Sequence, residues 1–184
     1  MTPFNVPARD QVSTGNQAIF DNLKGALGFV PNLYAAMAHS DTALGNYLQF
    51  QNGKTSLSKK EKELINLVVS QENGCRYCQS AHTVLGKMNG FSDEQLLEIR
   101  TGSASFDSKL DALARLSYEI TAFRGKPTNE TLSRFYAAGY TQGSLVDVVM
   151  AVADKVAMNY LHNITQIPID FPLAPELIAA GEHV

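Results

Sequence analysis

The feature of this sequence that most restricts its fold is a helix start signal directly before a dense apolar stripe, at residues 58–72. Ser58 and Glu61 have the spacing of a capping box, in which each side chain accepts a hydrogen bond from a backbone amide at a helix N-terminus. Apolar residues with helical periodicity follow at Leu64, Ile65, Leu67, Val68 and Val69. Ser92 and Gln95 repeat the capping-box spacing, and no stretch has the alternation of a half-buried strand. The sequence therefore predicts an all-α protein.

Helix signals recur along the chain, and we expect them to form a single all-α domain over residues 1–184. Its predicted parts are an N-terminal arm at 1–15, a helical core at 57–105, a second helical unit at 106–165 and an extended tail at 166–184. Helices are predicted at 17–27, 32–51, 58–72, 108–123, 129–138 and 142–163. Pro168 and Pro172 exclude a helix from the tail.

Composition and charge exclude several classes of protein. The chain has 15 Lys and Arg against 18 Asp and Glu, a net charge of −3, so it lacks the basic surface that nucleic-acid binding needs. An apolar fraction of 45% is ordinary for a folded domain. The first residues lack the basic and apolar parts of a signal peptide, and no apolar run is long enough to cross a membrane. We therefore expect a cytoplasmic protein with no membrane contact and no nucleic-acid partner.

The two cysteines of the chain stand together as Cys75 and Cys78, with His82 four residues later. In a helix, at about 100° per residue, these three side chains lie within roughly 60° on one face. Neighbours three residues apart are about 5–6 Å from each other, which is within reach of a disulfide. The spacing indicates a dithiol that can open and close beside a base, which is the chemistry of a redox site.

Other interpretations of these residues remain open at this point. Buried cysteines can pack as small apolar residues, and a histidine can be purely structural. A zinc ion needs three or four ligands, and three ligands on one helical face surround it poorly. The chain has no second pair of cysteines to complete such a site. The redox interpretation is therefore favoured, and no metal or other cofactor is expected.

The stretch from Ser58 to His82 resembles the alkyl hydroperoxidase D-like family of the carboxymuconolactone decarboxylase superfamily. The family has the pattern Glu–x11–Cys–x2–Cys–x3–His, and this sequence matches it at Glu63, Cys75, Cys78 and His82. The resemblance implies an all-helical, homo-oligomeric peroxidase with the cysteine pair at the N-terminal end of a central helix. In the scheme of that family, Glu63 and His82 relay a proton from Cys78.

By the same scheme Cys78 attacks a hydroperoxide and becomes a sulfenic acid, and Cys75 resolves it to a disulfide. The resemblance thus implies a hydroperoxide substrate and a thiol electron donor. A redox sensor or a disulfide-exchange protein without peroxidase turnover is the alternative. Tyr77 stands where the enzyme that names the family has a histidine; since a phenol has a pKa near 10, we expect it to form hydrogen bonds rather than act as a base.

Two further residues near these motifs are expected to be structural. Arg76 is interpreted as a surface residue. His162, near the end of a predicted helix, is expected to cap that helix or to contact a partner.

Overall fold

The computed structural model describes residues 4–177, and every regular element within this range is helical. A short 3-10 helix at Arg9–Gln11 precedes the α-helices of the described range. These are α1 (Thr14–Leu27), α2 (Asn32–Met37), α3 (Ala43–Gln51), α4 (Lys59–Glu72), α5 (Arg76–Met88), α6 (Asp93–Arg100), α7 (Ser108–Ala122), α8 (Asn129–Ala137) and α9 (Gln142–Thr165). The predicted all-α class is confirmed. The predicted tail contains no helix over 166–177, and its last residues lie outside the described range.

Capping boxes set the starts of α4 and α6 where the sequence predicts them. The Ser58 hydroxyl accepts a hydrogen bond from the Glu61 amide at 3.2 Å, and the Glu61 carboxylate accepts one from the Ser58 amide at 2.8 Å. Ser92 and Gln95 exchange the equivalent pair at 3.3 and 3.0 Å. Because these contacts span only three residues, the local sequence is enough to specify them.

The predicted helix over 32–51 is wrong, because the chain forms two helices there, α2 and α3. The break lies at residues 38–42. There the buried Asn16 side chain of α1 donates to the carbonyl oxygens of Ala38 at 3.2 Å and Ser40 at 3.0 Å. In a continuous helix, these carbonyls would accept from amides four residues further on. A side chain more than twenty residues away therefore interrupts a segment whose apolar pattern is continuous.

Helix α4 lies at the centre of the fold, where it packs against α5, α6, α7 and α9. Every residue from 64 to 70 is buried, which is why the apolar stripe of this segment is so wide. The main core forms around it, and its fully buried large side chains include Leu64, Ile65, Leu67, Leu113, Leu116 and Phe135. This central position gives the polar residues of α4 fixed places.

The first turn of α2 is capped by residues that are distant in sequence. The Asp170 carboxylate accepts a hydrogen bond from the Asn32 amide at 2.7 Å, and the Tyr77 hydroxyl accepts one from the Leu33 amide at 3.2 Å. The first amides of a helix have no partner within it. The tail and α5 therefore supply the capping groups that hold α2 in place.

The extended tail also lies along α5. Its Ala174 amide donates to the Ser80 hydroxyl at 3.1 Å, and its Ala174 carbonyl accepts from Arg76 at 3.1 Å. Arg100 of α6 donates to the Pro175 carbonyl at 2.6 Å. Arg76, expected to be a surface residue, is thus half-buried and holds the tail against the helix that carries the cysteines.

None of the helices in residues 4–177 combines the length and the apolar character that crossing a membrane requires.

Candidate active site

The cysteine pair stands at the junction of α4 and α5. After α4 the chain turns through Asn73 and Gly74, where the glycine has φ = +64°, a conformation that favours residues without a Cβ. The Cys75 amide then donates to the Ser70 carbonyl at 2.9 Å. Cys75 is the N-cap of α5, and its sulfur accepts a hydrogen bond from the Cys78 amide at 3.3 Å. Both cysteines are buried and reduced, at the N-terminal end of the helix as predicted.

Asn159 of α9 fixes the turn that carries the pair. Its side-chain amide donates to the Ser70 hydroxyl at 3.2 Å, and its carbonyl oxygen accepts from Asn73 at 3.0 Å. Asn163 donates to the Asn73 carbonyl at 2.7 Å. Asn159 is fully buried, so these contacts are shielded from water. The position of the cysteines therefore depends on α9 as well as on the helices that flank them.

The antiparallel packing of α4 and α5 brings Glu63 next to His82. The Glu63 Oε2 atom lies 2.7 Å from His82 Nδ1, and the exposed fractions of the two side chains are 13% and 10%. A carboxylate can only accept a hydrogen bond, so Nδ1 carries the proton and donates it. In the neutral ring, the lone pair is then on Nε2.

The electrostatic environment of the site shifts the pKa values of the two thiols in opposite directions. A hydrogen bond from Cys75 lowers the pKa of Cys78, and the charge of Lys155 lowers it further, although burial opposes both effects. The same hydrogen bond and burial raise the pKa of Cys75. Of the two sulfurs, Cys78 is therefore the one that loses its proton first.

Burial and contact act in opposite ways on the Glu63–His82 pair. Burial lowers the pKa of His82, and the charge of Lys155 adds to this, so the imidazole is held in its neutral form. Burial would raise the pKa of Glu63, but the contact with His82, the charge of Lys155 and a hydrogen bond from Asn66 outweigh it, and the pKa lies below its usual value. At neutral pH the pair is thus an ionised carboxylate and a neutral base.

A cavity of about 400 Å³ lies over Cys78 and His82. Most of its wall is apolar, and its apolar and aromatic lining residues include Leu27, Phe29, Leu33, Tyr34, Leu85, Met88, Met158 and Phe171. Besides Cys78 and His82, Gln51 and Lys155 contribute polar groups. The cavity can accept a ligand with an apolar body and present its polar end to the sulfur.

Two cavity residues belong to a chain of hydrogen bonds that leads away from the sulfur. The Tyr34 hydroxyl donates to the side-chain oxygen of Gln51 at 2.7 Å, and the side-chain nitrogen of Gln51 donates to the Tyr47 hydroxyl at 2.7 Å. Burial and the nearby Asp154 carboxylate together raise the pKa of Tyr47. This chain fixes the polar groups on one wall of the cavity.

Sequence reasoning missed Lys155 and Asn159 of α9. Together with His162 they are buried, and they continue the spacing of the buried Val148 and Val152. The signal was present, because polar residues at positions three and four apart on an apolar stripe indicate a buried polar face. No local rule indicates what they contact.

Tyr77 and His162 take structural positions beside the cysteines. The Tyr77 hydroxyl contacts α2, and its ring packs against His162 and Phe171 at centroid distances of 5.3 and 5.6 Å. His162 lies in the last turn of α9, with Nε2 3.2 Å from the Ile167 carbonyl oxygen. Within residues 4–177, no three side chains of His, Cys, Asp or Glu come together as a metal-binding group.

The sequence model of the carboxymuconolactone decarboxylase family matches residues 31–116, which include Glu63, both cysteines and His82. No curated protein sequence is similar enough to the chain to count as a relative.

Solved structures resemble this fold over nearly the whole chain. An uncharacterized peroxidase-related protein from Ralstonia eutropha JMP134, described as an alkylhydroperoxidase AhpD core, has a TM-score of 0.81 at 17% identity, with 92% of this chain and 94% of that one covered. A peroxidase-related protein from Silicibacter sp. TM1040 has a TM-score of 0.78 at 20% identity and covers 94% of both chains. A cysteine-to-alanine variant of the debrominase Bmp8, in complex with 2,3,4-tribromopyrrole, has a TM-score of 0.75 at 14% identity and covers 92% of both. The solved structures share the all-helical fold of this chain over nearly its whole length, and residues 31–116 are similar to the carboxymuconolactone decarboxylase family.

Proposed function

We propose that this protein is a thiol-dependent peroxidase that reduces organic hydroperoxides with the Cys75–Cys78 dithiol. The observation that carries the proposal is the arrangement of the site. A thiol of lowered pKa lies at an apolar cavity, beside a resolving thiol and a buried carboxylate–imidazole pair. Such a site combines a nucleophile, a base and a group that orients the base.

The proposed reaction begins at Cys78. His82 takes the thiol proton at Nε2, and the Glu63 carboxylate holds the ring and stabilises the charge that forms on it. The thiolate attacks the terminal oxygen of the hydroperoxide, the O–O bond breaks, and an alkoxide leaves. The proton from His82 converts the alkoxide to an alcohol, and Cys78 remains as a sulfenic acid.

Cys75 completes the cycle as the resolving thiol. Its raised pKa keeps it protonated while Cys78 reacts. Its sulfur then displaces hydroxide from the sulfenic acid, which gives a disulfide and water. Two equivalents of an external thiol return the pair to the dithiol, so the cycle uses no metal or organic cofactor.

The first test is the oxidation of the native protein by a slight excess of cumene hydroperoxide, followed by mass spectrometry. We expect the loss of two hydrogens, located in a Cys75–Cys78 bridge and reversed by dithiothreitol. Multiple turnovers with added dithiothreitol should then be absent in Cys78→Ser. Oxidation that changes the oligomeric state without turnover would support a redox sensor instead, and two thiols that stay reduced would exclude both functions.

Reductive dehalogenation of an aromatic compound is a second candidate, because aromatic rings line the cavity and a debrominase shares the fold. The rings of Phe29, Tyr34, Tyr77 and Phe171 line this cavity, and the debrominase structure holds a planar bromopyrrole. In such a reaction an aryl bromide and the dithiol would give the dehalogenated arene, the disulfide and hydrogen bromide. Release of bromide from a bromopyrrole faster than consumption of cumene hydroperoxide would favour this function.

A homo-oligomer in the cytoplasm completes the proposal. Large apolar side chains are exposed along the outer side of α9, at Val146, Val149 and Met150. Since contiguous exposed apolar residues often mark protein contacts, a second copy of the chain is the proposed occupant. Light scattering coupled to gel filtration tests this proposal, and a monomer at high concentration would exclude it.

A further inference from the structure

Lys155 is a buried cation in the cavity that the proposed reaction does not yet use. It lies on α9, its exposed fraction is 2%, and it lines the cavity together with Cys78 and His82. None of the ion pairs found in residues 4–177 includes it. A buried ammonium group outside any ion pair costs stability, so its presence at this position calls for negative charge nearby.

Three groups near the cavity can carry that charge: Glu63, Asp154 and Cys78. The other titratable residues around the site are Tyr34 on α2, Tyr47 on α3, Cys75, Tyr77 and His82 on α5, His162 on α9, and Asp170 in the tail. The Glu63 carboxylate is hydrogen-bonded to the neutral His82, and the charge of Lys155 helps to lower the pKa of Glu63. Asp154 lines a neighbouring cavity with Lys54 and Lys62, and its charge raises the pKa of Cys78, opposite to the effect of Lys155.

Of these groups, Cys78 lines the same cavity as Lys155, and its thiolate is the negative charge that forms there in the proposed reaction. The charge of Lys155 lowers the pKa of the Cys78 thiol, and it also lowers the pKa of His82, which keeps the base neutral. A cation that favours the thiolate and the neutral imidazole prepares both groups for the first step. Because water is largely excluded here, such a charge acts more strongly than at the surface.

We propose that Lys155 is a further functional residue of this site, whose buried ammonium stabilises the Cys78 thiolate before attack and the departing oxygen anion during it. The second half of this role rests on the proposed peroxidase function. As the thiolate attacks the terminal oxygen and the O–O bond breaks, one negative charge moves from sulfur to the alkoxide. The alkoxide takes the proton that His82 received from Cys78.

The test compares Lys155→Met, Lys155→Arg and the matched control Lys59→Met, which removes an exposed lysine. The rate of Cys78 alkylation by iodoacetamide is measured between pH 5 and 10, with the labelled cysteine identified by peptide mass spectrometry. Iodoacetamide is neutral, so the rate reports the thiolate and does not depend on peroxide turnover. Loss of a nearby opposite charge shifts a pKa by about one unit or more.

In Lys155→Met we expect the apparent pKa of Cys78 to rise by about one unit, and alkylation below that pKa to slow about 10-fold. Lys155→Arg should stay close to the native protein, and Lys59→Met should match it. We also expect the Met variant to melt at the native temperature or higher, because it removes an unpaired buried charge.

Two results would overturn the proposal. One is a native alkylation profile in the folded Met variant. The other is a Met variant that unfolds or melts well below the native protein, which would make Lys155 a structural residue. Failure of peroxide reduction in the native protein, with the alkylation shift present, would instead refute the peroxidase function and leave the role of Lys155 toward the thiolate standing.

Discussion

Glu63→Gln removes one negative charge from the carboxylate–imidazole pair and leaves the side-chain volume nearly unchanged. The pair is close, with 2.7 Å between Glu63 Oε2 and His82 Nδ1, and both side chains are almost fully buried. A hydrogen bond to a charged group contributes about 1.5–3 kcal/mol. At about 1.4 kcal/mol per pKa unit, this corresponds to one to two units.

The direction of the effect follows from the contact. The Glu63 carboxylate raises the pKa of His82 against the larger effect of burial. Its removal therefore lowers the pKa of His82 further and makes Nε2 a weaker base. If half of the change in basicity is expressed in proton transfer, as Brønsted behaviour implies, the reaction of Cys78 slows about 3- to 10-fold.

The assay is the single-turnover oxidation of the dithiol by cumene hydroperoxide in a stopped-flow instrument, measured from pH 5 to 9. Glu72→Gln is the matched control, because Glu72 ends the same helix and is exposed. We expect the Glu63→Gln profile to be lower near neutral pH and the control profile to equal that of the native protein. A Glu63→Gln variant that keeps the native rate at every pH would refute the proton relay.

Three more predictions address the resolving thiol, the packing and the acid stability. Cys75→Ser should trap a sulfenic acid after one equivalent of peroxide, visible by dimedone labelling; a protein that stays unlabelled would contradict its role. Tyr77→Phe leaves the buried Leu33 amide without its acceptor, so the free energy of unfolding should fall by about 1–3 kcal/mol and the melting temperature by several degrees. Tyr160→Phe, at an exposed position, should not change the melting temperature. Burial lowers the pKa of His82 in the folded protein, so the neutral ring contributes stability above about pH 6.5, and this contribution is lost as the pH falls toward the folded pKa. In His82→Gln, the free energy of unfolding from urea titrations should therefore fall less steeply as the pH decreases. An unchanged pH dependence would show that the histidine does not titrate on unfolding.

Local rules were enough to predict the segments that hold the candidate site. The capping box at Ser58 and Glu61 and the stripe behind it place α4 within a residue of its observed bounds. The spacing of Cys75, Cys78 and His82 puts the three on one face of α5, because helical geometry relates residues three and four apart. These inferences hold because each depends on contacts within a turn or two of the chain.

Contacts between distant segments decided the rest. Asn16 breaks the apolar segment after α2, although the pattern of that segment is continuous. Asn159 reaches the turn before the cysteines from 86 residues away, and Lys155 enters the same cavity from α9. Composition and periodicity describe which face of a helix is buried, but only tertiary packing determines which buried residues meet, and so which charge faces the reactive sulfur.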